Sequence, residues 1–170
     1  MVKMKMETNV LKKFDSMLDL TRNFRPVFKK VLGAGGPNSE PWTIQGGLHL
    51  SFSKETSPNG AKFKALSPKY KARKDRDYSP DLPILMRTGY LYETLVYGNT
   101  SNSVLTMTNT KMIYGTDLKY AAVHQFGSPK KNIPKRPYIG FRKNQSERIQ
   151  LEIRKYLMEA YNRKFALGLM

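Results

Sequence analysis

The two histidines, His49 and His124, are the residues of this 170-residue chain best suited to acid–base or metal chemistry. They lie far apart in the sequence, and neither stands in the short spacing that pairs histidine with a second zinc ligand. Because the chain contains no cysteine, thiolate metal sites and disulfide bonds are also excluded. The pattern predicts neither a metal centre nor a bound cofactor.

The sequence also lacks the motifs of the common enzyme classes. There is no GxSxG nucleophile elbow, no Walker phosphate loop and no GxGxxG after a strand. Acidic residues are sparse, and no two are spaced for paired acid–base work, so a hydrolase has no positive feature to support it. His124 is interpreted as a structural histidine that bonds a backbone carbonyl. We expect a protein without enzymatic activity and without catalytic residues.

A large excess of positive charge indicates the class of partner. The chain has 30 Lys and Arg against 13 Asp and Glu, a formal net charge of +17. A nucleic acid, a membrane face or an acidic protein surface would each balance this charge. No signal peptide and no apolar run of transmembrane length is present. We therefore expect a soluble protein, made in a cytoplasm, with no membrane partner.

The first part of the chain is predicted to be a helix followed by a loop. Apolar residues recur every three or four positions over residues 8–32, which predicts an amphipathic helix that kinks or divides at Pro26. Residues 33–59 are rich in glycine and proline, which predicts a loop-rich insertion. The core is expected to stay folded when this insertion is deleted. Within this insertion, alternation at 48–52 favours a short strand with His49 on its polar side.

Short elements follow in the rest of the chain. In order, they are a basic helix that opens at Ser67-Pro68, strands at 95–97, 104–108 and 111–114, a helix at 120–126, a strand at 138–141 and a helix at 144–167. Because short turns join the first three strands, we expect an antiparallel meander. A capping box of Asn144 and Glu147 is predicted to start the last helix, with Glu152 on its outer face. The fold class is therefore α+β: a small antiparallel sheet, made of a meander plus a returning strand, packed by N-terminal and C-terminal helices in a single domain, residues 1–170.

Five short motifs stand in a fixed order over roughly residues 60–142. Their residues are Phe63 and Leu66; Leu85, Thr88, Gly89 and Leu91; Gly115 and Thr116; Tyr120, Ala121, His124, Gln125 and Gly127; and Pro134, Arg136 and Pro137. In this order the chain resembles the phage virion morphogenesis family of tail-completion proteins, and related neck proteins of long-tailed phages. Phe63 stands where that family often has tryptophan.

The resemblance implies a structural protein of the virion, made in the host cytoplasm and carried in the neck of the particle. Such a protein is expected to form a ring with its own copies, often sixfold, that completes the tail and helps join it to the head connector. The resemblance therefore implies four kinds of partner: its own copies, head-connector or stopper proteins, tail-terminator or tail-tube proteins, and DNA in the channel by non-specific contact. The motif residues are the candidates for these interfaces.

Two of the motifs suggest particular roles. The loop 128–137 is stiffened by its prolines, so it is expected to dock on a neighbour, with a solvated surface arm as the alternative. Arg136 would then offer a bidentate donor to a carboxylate of the neighbouring copy. Thr88 and Gly89 are expected to form a tight turn that aims the first strand of the meander.

A second interpretation of the whole chain stays open. The basic clusters at 62–76 and 130–143 could bind nucleic acid directly, in a free protein without enzymatic activity. Salt dependence would separate the two functions, because a DNA-binding protein loses affinity steeply as salt rises.

Overall fold

Helices and one β-hairpin form the part of the chain that the structure, a computed structural model, describes. This part is residues 23–166, without the side chains of residues 164 and 165. The α-helices are α1 (Arg25–Leu32), α2 (Ile44–Ser53), α3 (Pro68–Asp77), α4 (Tyr90–Tyr92), α5 (Lys119–Phe126) and α6 (Lys143–Ala166). A π-helical turn (Glu93–Tyr97) continues α4, and a 3₁₀ turn (Pro129–Lys131) follows α5. The hairpin strands are β1 (Ser103–Met107) and β2 (Met112–Thr116). The α+β class with a small antiparallel sheet is confirmed.

The antiparallel hairpin is smaller than the predicted sheet. Its register pairs Ser103 with Thr116 and Met107 with Met112. The predicted first strand of the meander, residues 95–97, is instead part of the π-helical turn. A half-buried strand buries alternate side chains, whereas Thr94, Leu95 and Val96 are all fully buried here.

The predicted returning strand at 138–141 is not a strand either. The side-chain amide of Gln125 takes the place of a neighbouring strand, because its oxygen accepts hydrogen bonds from the backbone N–H groups of Tyr138 and Ile139, both at 3.0 Å. Its nitrogen donates to the carbonyl of Ile139 at 3.0 Å. Tyr138 is buried, and its hydroxyl donates to the carbonyl of Ala121. This segment therefore joins the core without a sheet.

Helix α1 is the described end of the helix predicted over residues 8–32. It begins at Arg25 with Pro26 in its first turn, where a proline costs no intrahelical hydrogen bond. Asn23 and Phe24 before it are not helical, as the predicted division at Pro26 requires. The rest of that prediction, residues 8–22, lies outside the described residues.

The predicted loop-rich insertion contains helix α2, so the loop prediction is wrong for residues 44–53. The side chain of Thr43 accepts a hydrogen bond from Gly46 N and caps this helix, and the expected strand at 48–52 lies within it. Leu48 and Phe52 of α2 belong to the hydrophobic core, so removal of the segment would remove part of the core. His49 is hydrogen-bonded through Nδ1 to the Tyr92 hydroxyl at 2.7 Å.

Two glycines allow α2 to approach other parts of the chain closely. A Cβ on Gly46 would lie 2.1 Å from the carbonyl oxygen of Glu40, and one on Gly47 would lie 1.9 Å from Nε2 of Gln145. Gln145 is 1% exposed and joins α2 to α6, because its nitrogen donates to the carbonyl of Thr43 at 2.7 Å. The glycines that predicted a loop are thus required for helix packing.

The C-terminal helix is confirmed as α6, but its start and its inner face differ from the prediction. The oxygen of Gln145 accepts from Arg142 N at 2.8 Å, in place of the expected capping box. Glu152 is 3% exposed rather than on the outer face, and it pairs with Lys30 of α1 at 2.6 Å and Arg148 at 3.1 Å. The hydrogen bond from Lys30 is the main cause that lowers the pKa of Glu152.

No helix in the described part is long and apolar enough to span a membrane.

Substitution Gly47→Ala tests the close approach of α2 and α6. Alanine normally stabilises a helix by about 1 kcal/mol relative to glycine. Here the new methyl group displaces the buried amide of Gln145 from its partners, so we expect the free energy of unfolding to fall by roughly 1–3 kcal/mol. Gly115→Ala is the control, since a Cβ there meets nothing within 4 Å. Denaturant titration gives both values, and an unchanged or higher stability for Gly47→Ala would contradict the packing.

Candidate functional site

Most residues of the five motifs surround one open cleft, with a cavity volume of about 1140 Å³. Its walls come from residues 64–67, the inner side of α3, residues 85–91, α5 and residues 131–136. The motif residues in its lining are Leu66, Leu85, Thr88, Gly89, Leu91, Tyr120, His124, Pro134 and Arg136. We call this feature the motif cleft. Motifs that are far apart in the sequence thus form a single site.

Arg136 holds two walls of the motif cleft together. It is 4% exposed, and its Nε and Nη2 donate to the backbone carbonyls of Lys64 at 2.7 Å and Ala65 at 3.0 Å. Burial is the main cause that lowers the pKa of its guanidinium. The predicted contact with a carboxylate of a neighbouring copy stays a prediction for Arg136. Its bidentate geometry is used within the chain, on two consecutive carbonyls.

Lys74 also bonds two backbone carbonyls and so holds another wall of the motif cleft in place. The sequence analysis did not identify this role. This residue of α3 is 4% exposed, and its Nζ donates to the carbonyls of Leu82 and Pro83, the latter at 2.8 Å. Burial is the main cause that lowers its pKa. Its neighbours Arg73 and Asp75 are more exposed, and nothing in the charge pattern of α3 distinguishes Lys74 from other cations.

The turn at Gly89 positions another wall. Gly89 adopts φ 79°, a left-handed conformation that glycine reaches without strain, and its carbonyl accepts from Glu93 N at 2.9 Å. Thr88 beside it is exposed. The turn starts helix α4 rather than the predicted strand, and it places Leu91, 3% exposed, in the core beneath the cleft.

His124 lies in α5, and its ring is nearly perpendicular to that of Tyr120, at 6.1 Å between ring centroids. Its backbone carbonyl accepts from Arg136 N at 2.9 Å, whereas its side-chain Nδ1 is buried without a hydrogen-bond partner in the described residues. The predicted side-chain bond to a carbonyl is therefore wrong. Burial, and then the nearby Arg136 charge, lower the pKa of His124. The lowered pKa favours the neutral imidazole, in a cleft whose described lining includes no carboxylate.

The other motif residues lie outside the motif cleft. Phe63 and Ala121 are part of the hydrophobic core, and Gly115 and Thr116 end strand β2. The remaining three, Gln125, Gly127 and Pro137, lie at the end of α5 and in the segments that follow it. Gly127 has φ 81°, and a Cβ there would lie 2.9 Å from Lys135 N.

Within residues 23–166, no group of three or more His, Asp or Glu side chains is placed to hold a metal ion.

Comparison with known proteins identifies two similarities. The sequence model of the phage virion morphogenesis family matches residues 7–158. An uncharacterized protein of the archaeon Methanocaldococcus jannaschii is 34% identical over 79 residues, which is 46% of this chain and 54% of the relative. The match thus spans about half the length of that relative. No solved structure matches the chain.

Substitution Arg136→Glu tests the internal role of Arg136. The variant leaves two carbonyls without donors and buries a carboxylate against them, so we expect a loss of roughly 3–5 kcal/mol in the free energy of unfolding. Lys135→Glu makes the same change in net charge at an exposed neighbour, and it should cost no more than about 0.5 kcal/mol. A monomer of normal stability carrying Arg136→Glu would contradict the assignment.

Stability as a function of pH tests the buried state of His124. Its folded pKa lies below the ordinary value of 6.5, so the unfolded chain takes up this proton first as the pH falls. The contribution to stability is complete above 6.5 and is lost between 6.5 and the lower folded pKa. In His124→Leu this loss is absent, and the free energy of unfolding should fall less between about pH 8 and about pH 5. Equal pH dependence in the two proteins would show that His124 is not buried as described.

Proposed function

Because this chain belongs to the phage virion morphogenesis family, we propose that it is a structural protein of the virion neck. Membership of this family indicates a structural role in phage assembly. In the proposed role, copies form a ring, a hexamer in the simplest case, that completes the tail and helps to join it to the head connector. Its neighbours would be connector or stopper proteins on one side and tail-terminator or tail-tube proteins on the other.

The β-hairpin provides what a closed ring of identical copies requires. Such a ring needs two different, complementary surfaces on each copy. Strands β1 and β2 pair only with each other among the described residues, so each leaves one edge without a strand partner. Open strand edges are templates for pairing with another chain. Edge β1 of one copy would therefore pair with edge β2 of the next.

The hydrogen-bond pattern of the hairpin supports this proposal, because it identifies the backbone groups of β1 that point away from β2. Asp117 N donates to Asn102 O, and Thr108 N donates to Lys111 O, at the two ends of the hairpin. Since bonded pairs alternate along an antiparallel ladder, the backbone groups of Leu105 point away from β2. The Leu105 side chain is 49% exposed as well. Its position offers both a free N–H group and an apolar contact to a second copy.

Exposed aromatic residues provide a further contact surface. Phe126 at the end of α5 is 73% exposed and Phe141 is 60% exposed. Ile139, at 42% exposed, is two residues from Phe141, and its backbone is bonded to Gln125, the neighbour of Phe126. Large apolar side chains that cluster at the surface are typical of protein interfaces. The net charge of +17 would then face an acidic ring or the DNA in the channel.

A variant pair at Leu105 tests the ring and the edge that forms it. Leu105→Pro removes the outward N–H group without loss of a ladder hydrogen bond, whereas Leu105→Ala keeps this group and removes only the apolar side chain. We expect wild type to form rings by native mass spectrometry and negative-stain microscopy, Leu105→Ala to form weaker rings, and Leu105→Pro to remain a folded monomer. Complementation of a phage that lacks the chain should fail with Leu105→Pro, leaving heads and tails unjoined.

Other results would contradict this proposal. Rings of equal stability in all three proteins would exclude the β1 edge as the contact. A wild-type protein that stays monomeric and is absent from particles would refute the role in the neck. If that monomer bound duplex DNA with an affinity that fell steeply with salt, the chain would be a free nucleic-acid-binding protein instead.

A further inference from the structure

We propose that the motif cleft binds an acidic segment of a partner protein, one that carries apolar side chains beside its carboxylates. The inference rests on the proposed function, because it gives the chemistry of a partner that the protein meets during virion assembly. It concerns a different surface from the hairpin edges. The charges, the apolar lining and the aromatic rings of the cleft each contribute to it.

The motif cleft has cations without anions. Its lining includes Lys64, Lys74, Arg87, Lys131 and Arg136, and no Asp or Glu. Lys74 and Arg136 are each 4% exposed, and neither forms an ion pair within residues 23–166. Buried charges in proteins are normally paired, because desolvation of a lone ion is costly. Glu55, outside the lining, attracts both cations but pairs with neither, so an arriving carboxylate would supply the ion pair that they lack.

The two buried cations keep donors for such a carboxylate. Backbone carbonyls accept from Nε and Nη2 of Arg136, which leaves its Nη1 group without a partner among the described residues. Carbonyls also accept two of the three Lys74 protons. Carbonyl oxygens satisfy hydrogen bonds but carry no net charge, so the site stays electropositive. The exposed Lys64 and Lys131 extend this potential to its rim.

The size and lining of the cleft favour a polypeptide segment. A volume of about 1140 Å³ is above the range of roughly 300–1,000 Å³ for small-molecule pockets. Leu66, Leu85, Leu91 and Ile133 provide an apolar lining that a hydrophilic ligand would leave uncovered. A peptide with alternating acidic and apolar side chains would satisfy the cations and cover these residues together.

A single nucleic-acid strand fits the cleft less well. Such strands bind by stacking bases on aromatic faces along a basic groove. The face of Tyr70 is occupied by Arg73 at 5.4 Å, and the ring of Tyr120 packs against His124. Two of the five cations in the lining, Lys74 and Arg136, are also buried rather than exposed along a groove. These features favour the acidic peptide.

Peptide binding to the purified full chain tests the inference. The probe is a fluorescent peptide of alternating leucine and glutamate, measured by anisotropy. We expect saturable binding, weakened about tenfold or more in Lys64→Glu/Lys131→Glu, which reverses two rim charges without altering a buried residue. The matched control, Lys29→Glu/Lys54→Glu, changes exposed lysines outside the cleft by the same total charge and should keep the wild-type affinity.

Three results would overturn the inference. They are the absence of peptide binding, equal binding by an otherwise identical glutamate–serine peptide, and tighter binding of single-stranded DNA that the cleft variant abolishes. The ring measurement is independent of this assay. Rings without peptide binding would count against the cleft alone, whereas peptide binding by a chain that never forms rings would count against the proposed function alone.

Discussion

Buried polar side chains that bond to the backbone of irregular segments are the interaction on which this structure depends. A buried backbone group needs a hydrogen-bond partner, and the irregular segments between the helices and the two-stranded hairpin have no sheet ladder to supply one. Gln125 and Gln145 each use both ends of their amides to satisfy them, and Arg136 bonds two consecutive carbonyls. These bonds replace the strands that a larger sheet would supply.

The same bonds shape the site. Arg136 joins residues 64–65 to the loop after α5, and Lys74 joins α3 to residues 82–83. The walls of the motif cleft are therefore fixed before any partner arrives, which lowers the entropy lost on binding. Because both ties are cations, the fixed walls are also electropositive. In a protein of virion assembly, one set of residues thus stabilises the fold and prepares a contact surface.

Local signals predicted part of this structure, and long-range contacts determined the rest. The start of α3 at Ser67 and the end of α5 at Gly127 were both readable, because capping and left-handed glycine are properties of a few adjacent residues. The same approach failed at Gly47, where glycine serves a helix that packs on a distant glutamine. It also failed at Arg136 and Lys74, since the carbonyls that bury these cations cannot be identified from neighbouring residues. The motif order identified the family, but not the cleft that its residues surround.

Amide hydrogen exchange of the chain, compared between the free protein and assembled particles, tests the central claim most directly. If the motif cleft and the hairpin edges are contact surfaces, exchange should slow on assembly in residues 64–67, residues 131–136 and the outward amides of β1. Amides in the interior of α2 should exchange alike in both states, because the core is already formed. Equal exchange of the cleft and hairpin segments, free and assembled, would contradict the account.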